Sequence, residues 1–489
     1  MSKLFSKINI IQLPFWLFTI GVFVIAIMPS LIQDGMFTDG TQYAVVSKNF
    51  ANGLGTFWFP HITQNWNTMG SSWFLENPPL VYAIQGTFFS IFGDSLYTER
   101  IYCLFTALMA AFLITRIWNL LTQRNKEIQA LSWLPVLIWV SMPIVFRSYQ
   151  MNVQENTMGL FTMASVYFVL KGLSSTKHSY LFILLGGASI FLATLCKGVT
   201  GLFPLAAVAL FWLSVRKIRF QGALFFSLIL LLVPVLSYML LLLNDNAYES
   251  FSFYYKARLL ERIHNDPVVN SHFHIIWRLL LDLLPAIVVA VIAFLFRRKK
   301  VSLSDHSEEK RFMIFFFFMG LAGSLPLALT LVQREFYLGP SLPFFALAFS
   351  VFISIYLAEM PRLFSQKAQI FKIFKVFSFS LVIGGVLYTS LQIGKAGRDQ
   401  DILHDTYLIG EVIEEGTRVH LEAEVSQRDS LKHWNLELYL ARYFNVSLGE
   451  PLKDSRYIIY YEGGSFPDHE VFEQVPLDTE IYLLYQRKD

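Results

Sequence analysis

This sequence has little charge. Only 15% of its 489 residues are Asp, Glu, Lys or Arg, while 54% are hydrophobic. Soluble domains carry roughly 25% charged residues. A soluble fold of this length is therefore excluded, as are disordered and collagen-like chains. Cysteine is scarcer still, with two residues. Cys103 and Cys196 both fall in apolar runs, which leaves no disulfide framework and no metal-knuckle spacing. Phosphate-cradling glycine motifs are missing too, with no Walker A loop and no dinucleotide fingerprint, and so are the zinc-protease motif HExxH and the hydrolase nucleophile elbow. Nothing reads as a soluble nucleotide-binding domain, so a nucleotide sugar is not the expected substrate. No basic aromatic patch points to nucleic acid.

What is present divides at Gly394. The formal charge of the whole chain is +3, but residues 1–394 carry a net +12 and residues 395–489 a net −9. Two objects are joined there: a membrane body, 1–394, and a small acidic soluble domain, 395–489. A membrane-crossing helix needs about 20 mostly apolar residues. Such runs are Ile8–Gln33 and residues 100–121, 128–146, 156–173, 179–196, 199–215, 221–243, 275–296, 312–332, 336–357 and 375–393. The expected body is all-α with about eleven spans. The first is read as a membrane helix rather than a signal, because no small-residue cleavage pattern follows it. Pro78–Gly93 is too short for a span and is read as a juxtamembrane helix.

Lys and Arg choose the orientation. With the first residues in the cytoplasm, twenty basic residues of the body fall on the cytoplasmic side and nine on the other. The long segment 34–99 and the acidic domain then share the outer side. Eight ionisable residues near membrane depth collect on that face: Asp39, Glu76, Glu155, Lys197, His264, His272, Arg334 and Glu335. Charges at span ends need partners or a wet cavity, and so many at one leaflet predict a shared polar cavity. Such a cavity suits a substrate that is itself half lipid.

The chemistry open to these residues follows from their types. Asp39 stands in Phe37-Thr38-Asp39-Gly40-Thr41-Gln42-Tyr43, just past the first span; it is either a turn-forming Asp-Gly or a carboxylate able to take a proton from a hydroxyl. Lys197-Gly198 breaks an uncharged run, where a lysine can hold a phosphate or reach the interface. Arg334 precedes Glu335-Phe336-Tyr337, and arginine can grip phosphate oxygens in pairs. Arg258 and Arg262 are i, i+4 and would share a helix face, toward phosphate or toward lipid headgroups.

Four segments together resemble the polytopic glycosyltransferases that use lipid-linked sugars. Within them the chain is similar to the dolichyl-phosphate-mannose protein mannosyltransferases and, more closely, to the bacterial lipid A aminoarabinose transferases. The segments are Asp39-Gly40-Thr41-Gln42-Tyr43-Ala44; Glu76-Asn77-Pro78-Pro79-Leu80 running on to Glu99-Arg100; Leu195-Cys196-Lys197-Gly198; and Arg334 through Pro343. The resemblance implies a GT-C fold and transfer of a hexose or pentose from a polyprenyl-phosphate donor to an acceptor hydroxyl or phosphate on lipid A, a glycolipid, a glycan or a protein. It implies catalytic roles for Asp39 and Glu155. Lys197, Arg334, Tyr337, Arg258 and Arg262 would face the donor phosphate, and Tyr43, Glu76 and Glu335 the substrate. A bacterial inner membrane, with the site on the periplasmic side, is the setting it implies. Asn77 and Gly40 depart from the pattern, where a basic and a second acidic residue are common. The cofactor the sequence leaves open is a divalent metal on Glu76, His264 and His272.

The acidic domain reads as a small α/β unit, with helices over Asp401–Glu415 and His433–Phe444 and strands at Arg418–Ala423, Arg456–Tyr461 and Glu480–Gln486. The competing reading of the chain is a transporter or lipid flippase. Such proteins usually carry internal repeats and polar sites at mid-membrane; no clear repeat is found here, and the charges lie at span ends.

Overall fold

Long apolar runs become long helices. The computed structural model describes residues 12–63, 72–175, 177–260, 267–297, 306–357, 368–422, 430–461, 468 and 470–488. Among the described residues, nine helical segments are long and apolar enough to cross a membrane. The chain divides into two compact units. One comprises Met1–Pro29 and Cys103–Gln392; the other comprises Ser30–Tyr102 and Ile393–Asp489.

The first unit is helical. It holds most of α1 (Leu13–Ile32) and α4 (Thr98–Leu121), where α2 (Thr38–Ala51) and α3 (Leu80–Phe92) belong to the other unit. The expected span at 128–146 is replaced by three short helices, α5 (Lys126–Gln129), α6 (Leu134–Val140) and α7 (Pro143–Gln150). Proline is the reason. Pro143 is the first residue of α7 and Met142 before it is extended, as a residue preceding proline must usually be. The carboxylate of buried Asp282 then accepts from the Ile144 amide at 2.9 Å and holds the start of α7. Next come α8 (Gln154–Ser174) and α9 (Ser179–Lys197), a 3-10 stretch Gly198–Ala206, and α10 (Ala207–Val215). Helices α11 (Phe220–Leu241), α12 (Asp245–Phe253), α13 (His274–Arg297), α14 (Ser307–Ser324), α15 (Leu342–Leu357) and α16 (Ala368–Ser390) complete the unit. Large apolar side chains stand exposed along α11 and α16, among them Leu236, Met239, Phe379 and Leu387. Water does not tolerate apolar faces of that extent on a soluble monomer; lipid does. The short helix α3 is apolar but has only 13 residues, in keeping with a juxtamembrane element.

The second unit joins the 34–99 segment to the acidic domain. Its α/β part runs α17 (Gln400–Val412), β1 (Arg418–Glu422), α18 (Ser430–Phe444), β2 (Ser447–Leu448), β3 (Tyr457–Tyr461), β4 (Phe472–Gln474) and β5 (Tyr482–Arg487). The sheet order is β2-β1-β3-β5-β4. β1 pairs parallel with β2 and β3, and β5 pairs antiparallel with β3 and β4. Ile409, Val419, Leu436, Leu440, Ile459 and Leu484 form the core between helices and sheet. The buried carboxylate of Asp405 accepts the amides of Glu480, Ile481 and Tyr482 at 2.7–2.8 Å, fixing the start of β5.

Helix α2 packs on α18. Tyr43, Val45, Val46, Ile62, Phe74 and Tyr82 close around Leu438 and Ala441. At one end of this contact Lys48 is buried and its ammonium donates to the carbonyls of Ala441 (2.9 Å) and Arg442 (2.8 Å) and to Asn445 Oδ1 (2.5 Å). A cation on the last carbonyls of a helix is favourable, but burial is costly to it. Burial, reinforced by the charge of Arg442 and opposed by Asp94, pushes the Lys48 ammonium down to about 8 from 10.5. Between those values the unfolded chain binds the extra proton, so stability of this unit rises as pH climbs from about 8 toward 10.5. Unfolding followed against pH should show that rise in the wild type and lose it in Lys48→Met.

Candidate functional site

In the membrane unit, two charged groups converge on the start of α8. Glu155 lies in its first turn, where a helix favours an acid, and Lys197 in the last turn of α9, where a helix favours a base. Lys197 Nζ is 3.4 Å from Glu155 Oε1; the glutamate side chain is 1% exposed and the lysine 14%. The pairing depends on Gly198. Its φ of +73° reverses the chain after α9, and a Cβ there would strike the Tyr254 hydroxyl. Only glycine meets both demands. The turn is held on α8 by Thr200, whose hydroxyl donates to Met158 Sδ at 3.3 Å.

The second group sits on the 3-10 stretch Glu335–Ser341. This stretch also packs on α8, with Pro340 where a Cβ at Gly159 would meet it at 3.6 Å. Glu335 bridges two arginines from different helices: Arg147 of α7 at 3.0 Å, and Arg278 of α13. Arg334, the residue before Glu335, is exposed. Two guanidinium groups meet on this carboxylate, with Asp282 one turn from Arg278 on α13; the cluster is partly exposed, and guanidinium groups can receive phosphate oxygens in pairs. Tyr337 is half-buried on the same stretch, its amide donating to the Arg334 carbonyl at 3.1 Å.

The other unit holds Asp39, Tyr43 and Glu76. Asp39 is half-buried in the first turn of α2, so the Asp-Gly pair opens a helix instead of forming a free turn. Tyr43 is 6% exposed and belongs to the apolar cluster on α18, its ring 6.0 Å from that of Tyr82. It packs as a core residue. Glu76 is half-buried between Phe74 and Pro78. Behind α2 lies a dense ionic cluster. Arg442 donates to Glu99 Oε2 at 2.7 Å and to Asp94, and all but 2% of the Arg442 and Glu99 side chains is buried. The carboxylates of Glu99 and Asp94 push the Arg442 guanidinium up, against the burial that would lower it. Asp34 accepts from the hydroxyls of Tyr407 (2.6 Å) and Tyr443 (2.9 Å), and burial raises both phenols.

Several expected residues are placed differently or not at all. Arg262 and His264 lie outside the described residues, as does the Arg258 side chain; the backbone of Arg258 is helical within Tyr254–Leu260. His272 is exposed, with its Nδ1 2.7 Å from the Ala328 carbonyl. Among the described residues no three His, Cys, Asp or Glu side chains converge as a metal site would require. Arg147 and Arg278 were not among the site residues expected from sequence. Each lies within an apolar stretch at a helix end, and only the fold brings them to Glu335.

Residues 76–241 match the model of the family described as dolichyl-phosphate-mannose-protein mannosyltransferase. No curated protein sequence matches the chain. Among solved structures, the chain is similar to ArnT from Cupriavidus metallidurans bound to undecaprenyl phosphate, with a TM-score of 0.62, 11% identity and 96% of each chain covered. The apo form of the same protein aligns with a TM-score of 0.60 at 12% identity over 95% of each chain. The oligosaccharyltransferase of Archaeoglobus fulgidus, in complex with Zn and sulfate, aligns with a TM-score of 0.52 at 11% identity, over 92% of this chain and 68% of that one. The chain therefore has the ArnT-like GT-C fold, a polytopic helical body with a small C-terminal sheet domain.

Proposed function

We propose that the protein is an integral-membrane glycosyltransferase that moves a sugar from a polyprenyl-phosphate donor to an acceptor hydroxyl or phosphate. The observation that carries this reading is the pair of charged groups on α8, Lys197–Glu155 and Arg147–Glu335–Arg278 with Arg334 next to Glu335 in the chain, in a fold shared with a protein solved with undecaprenyl phosphate. A polyprenyl-phosphate headgroup is what such basic groups in a membrane body suit: an anion on an apolar tail. The sugar, and the choice among lipid A, glycolipid, glycan and protein acceptors, are left to assay. If the stretch of short helices α5–α7 still carries the chain across the membrane, the distribution of Lys and Arg supports a site on the outer face.

In the proposed reaction the acceptor oxygen attacks the anomeric carbon. The bond from that carbon to the phosphate oxygen breaks, and the electron pair leaves with the polyprenyl phosphate. Asp39 takes the proton of an acceptor hydroxyl. Lys197 and the arginine cluster stabilise the charge that develops on the departing phosphate, and Glu155 holds the Lys197 ammonium in place. Preorganised donors of this kind are each worth about 2.7–4 kcal/mol in the transition state.

The test is transfer by the purified protein from a panel of undecaprenyl-phosphate sugars, with mass spectrometry of products. Lys197→Ala is expected to lower the rate about 10²–10³-fold, and Lys197→Arg to retain most of it, because the charge against Glu155 survives. Equal rates for the two variants would remove the phosphate role. Movement of lipid between leaflets without a new glycosidic bond would favour a flippase instead.

A further inference from the structure

Helix α18 of the C-terminal domain makes polar contacts with the segment that leads into Asp39. Helix α2 begins without a side-chain cap: Phe37 occupies the N-cap position and offers none. Thr38, the residue that could cap locally, turns its hydroxyl to Asn435 Oδ1 of α18 at 2.8 Å. The amide of Asn435 donates to Asp399 Oδ2 at 3.3 Å. One turn further along α18, the Tyr439 hydroxyl accepts the Met36 amide at 3.3 Å. Its proton lies between Asp399 Oδ2 at 2.9 Å and the Met36 carbonyl at 3.1 Å. Thr38, Asn435 and Tyr439 are all buried, at 6%, 5% and 1% exposure. Buried polar groups of this sort are costly to leave unmatched, so the geometry is strongly specified.

Asp399 organises both contacts. It sits at φ +49°, a left-handed conformation that costs a non-glycine residue free energy, and Arg398 Nε donates to its carboxylate at 2.9 Å. A second fastening lies just upstream. The Asp34 amide donates to the Lys395 carbonyl at 2.9 Å, and the Gly397 amide to the Asp34 carbonyl at 2.8 Å. From residue 34 to residue 38 the backbone is therefore held by residues 395–439, and the next side chain is Asp39.

We propose that Asn435 and Tyr439, oriented by Asp399, are positioning residues that set the pose of Asp39. This rests on the catalytic reading of Asp39 and adds a role for the C-terminal domain: it supplies part of the rigid frame of the reaction. A carboxylate displaced by about 1 Å from its productive position can cost about 10²-fold in rate.

The experiment compares wild type, Asn435→Ala, Tyr439→Phe and the exchange pair Asp399→Asn with Asn435→Asp. In the exchange pair residue 435 still accepts from Thr38 and the residue 399 side-chain amide donates to residue 435, while the Tyr439 hydroxyl, no longer received at that atom, donates to the Met36 carbonyl, 3.1 Å away. Expected are a kcat lowered about 10–100-fold in Asn435→Ala, an unchanged KM for the undecaprenyl-phosphate sugar, and recovery in the exchange pair beyond either single change. An unchanged kcat, or a loss carried equally by KM, overturns the proposal. A second arm does not need turnover. In Asp39→Cys protein the native Cys103 and Cys196 are buried, so maleimide reports residue 39. Its labelling rate should change several-fold when Asn435→Ala is added, with the melting temperature retained. An unchanged labelling rate overturns the positioning role. If wild type transfers no sugar while labelling responds, the functional reading fails and the positioning of residue 39 stands.

Discussion

Asp39→Asn protein is expected to lose sugar transfer by about 10²–10⁴-fold, the range for removing a general base. The side chain keeps its size and can still accept a hydrogen bond through one oxygen, so the fold around the start of α2 should be retained. What it loses is the ability to take a proton. Binding of undecaprenyl phosphate should therefore persist in the variant, and KM for the donor should move little, because a group acting only in the transition state changes kcat and not ground-state binding. Asp39→Glu tests the geometry separately. It restores the base on a longer arm and should recover only part of the rate. Asp39→Asn protein with full activity would falsify the assignment.

The second large effect falls on stability. Arg442→Ala is expected to cost the second unit about 3–5 kcal/mol, the usual cost of removing one member of a buried ionic group. The guanidinium bonds Glu99, Asp94 and the Ser95 carbonyl and lies 4.9 Å from the centre of the Phe89 ring. Its loss leaves Glu99, 2% exposed, against Arg100 alone at 3.1 Å. Arg442→Lys keeps a charge but not the fork that reaches two carboxylates at once, so it should recover only a fraction. Limited proteolysis resolves the expected effect: cleavage within Ser30–Tyr102 or Ile393–Asp489 should accelerate, with the membrane unit less affected. Equal protease resistance in Arg442→Ala and wild type would show that the cluster contributes little.

How much of this was legible in the sequence depended on the range of the interaction. Hydrophobic run length placed α1, α4, α8, α11, α13 and α15 because a membrane helix satisfies its own backbone and needs only apolar length. The same rule misread 128–146. Composition there is apolar throughout, but Pro143 breaks the helix, and hydropathy does not register a missing amide. In the C-terminal domain the longer strands were visible as alternating or apolar runs. β2, two residues long, and β4, three, were not, since so few residues carry no period.

The site divides along the same line. Lys197 and Gly198 stood out because a charge and a glycine interrupt an uncharged run, and the structure gives the pair a partner in Glu155, also singled out from sequence. Arg147 and Arg278 are separated by more than a hundred residues, and nothing local joins them to Glu335. Tyr43 lies one turn beyond Asp39 on the same face of α2, but there that face is already covered by α18, and its ring is buried in the apolar cluster with Leu438 and Ala441. Asn435 and Tyr439 are ordinary polar and aromatic residues on an amphipathic helix; their reach to Met36 and Thr38 has no sequence signal at all.

The second unit is built from two stretches of chain, Ser30–Tyr102 and Ile393–Asp489, with the membrane helices threaded between them. During synthesis the first stretch emerges early and must wait for nearly the whole protein to be inserted before its partner arrives. Until then Lys48 lacks the carbonyls that receive it, and Val45 and Val46 lack the face of α18. A ribosome that stops short would leave a membrane-inserted product whose Asp39 segment has never been assembled.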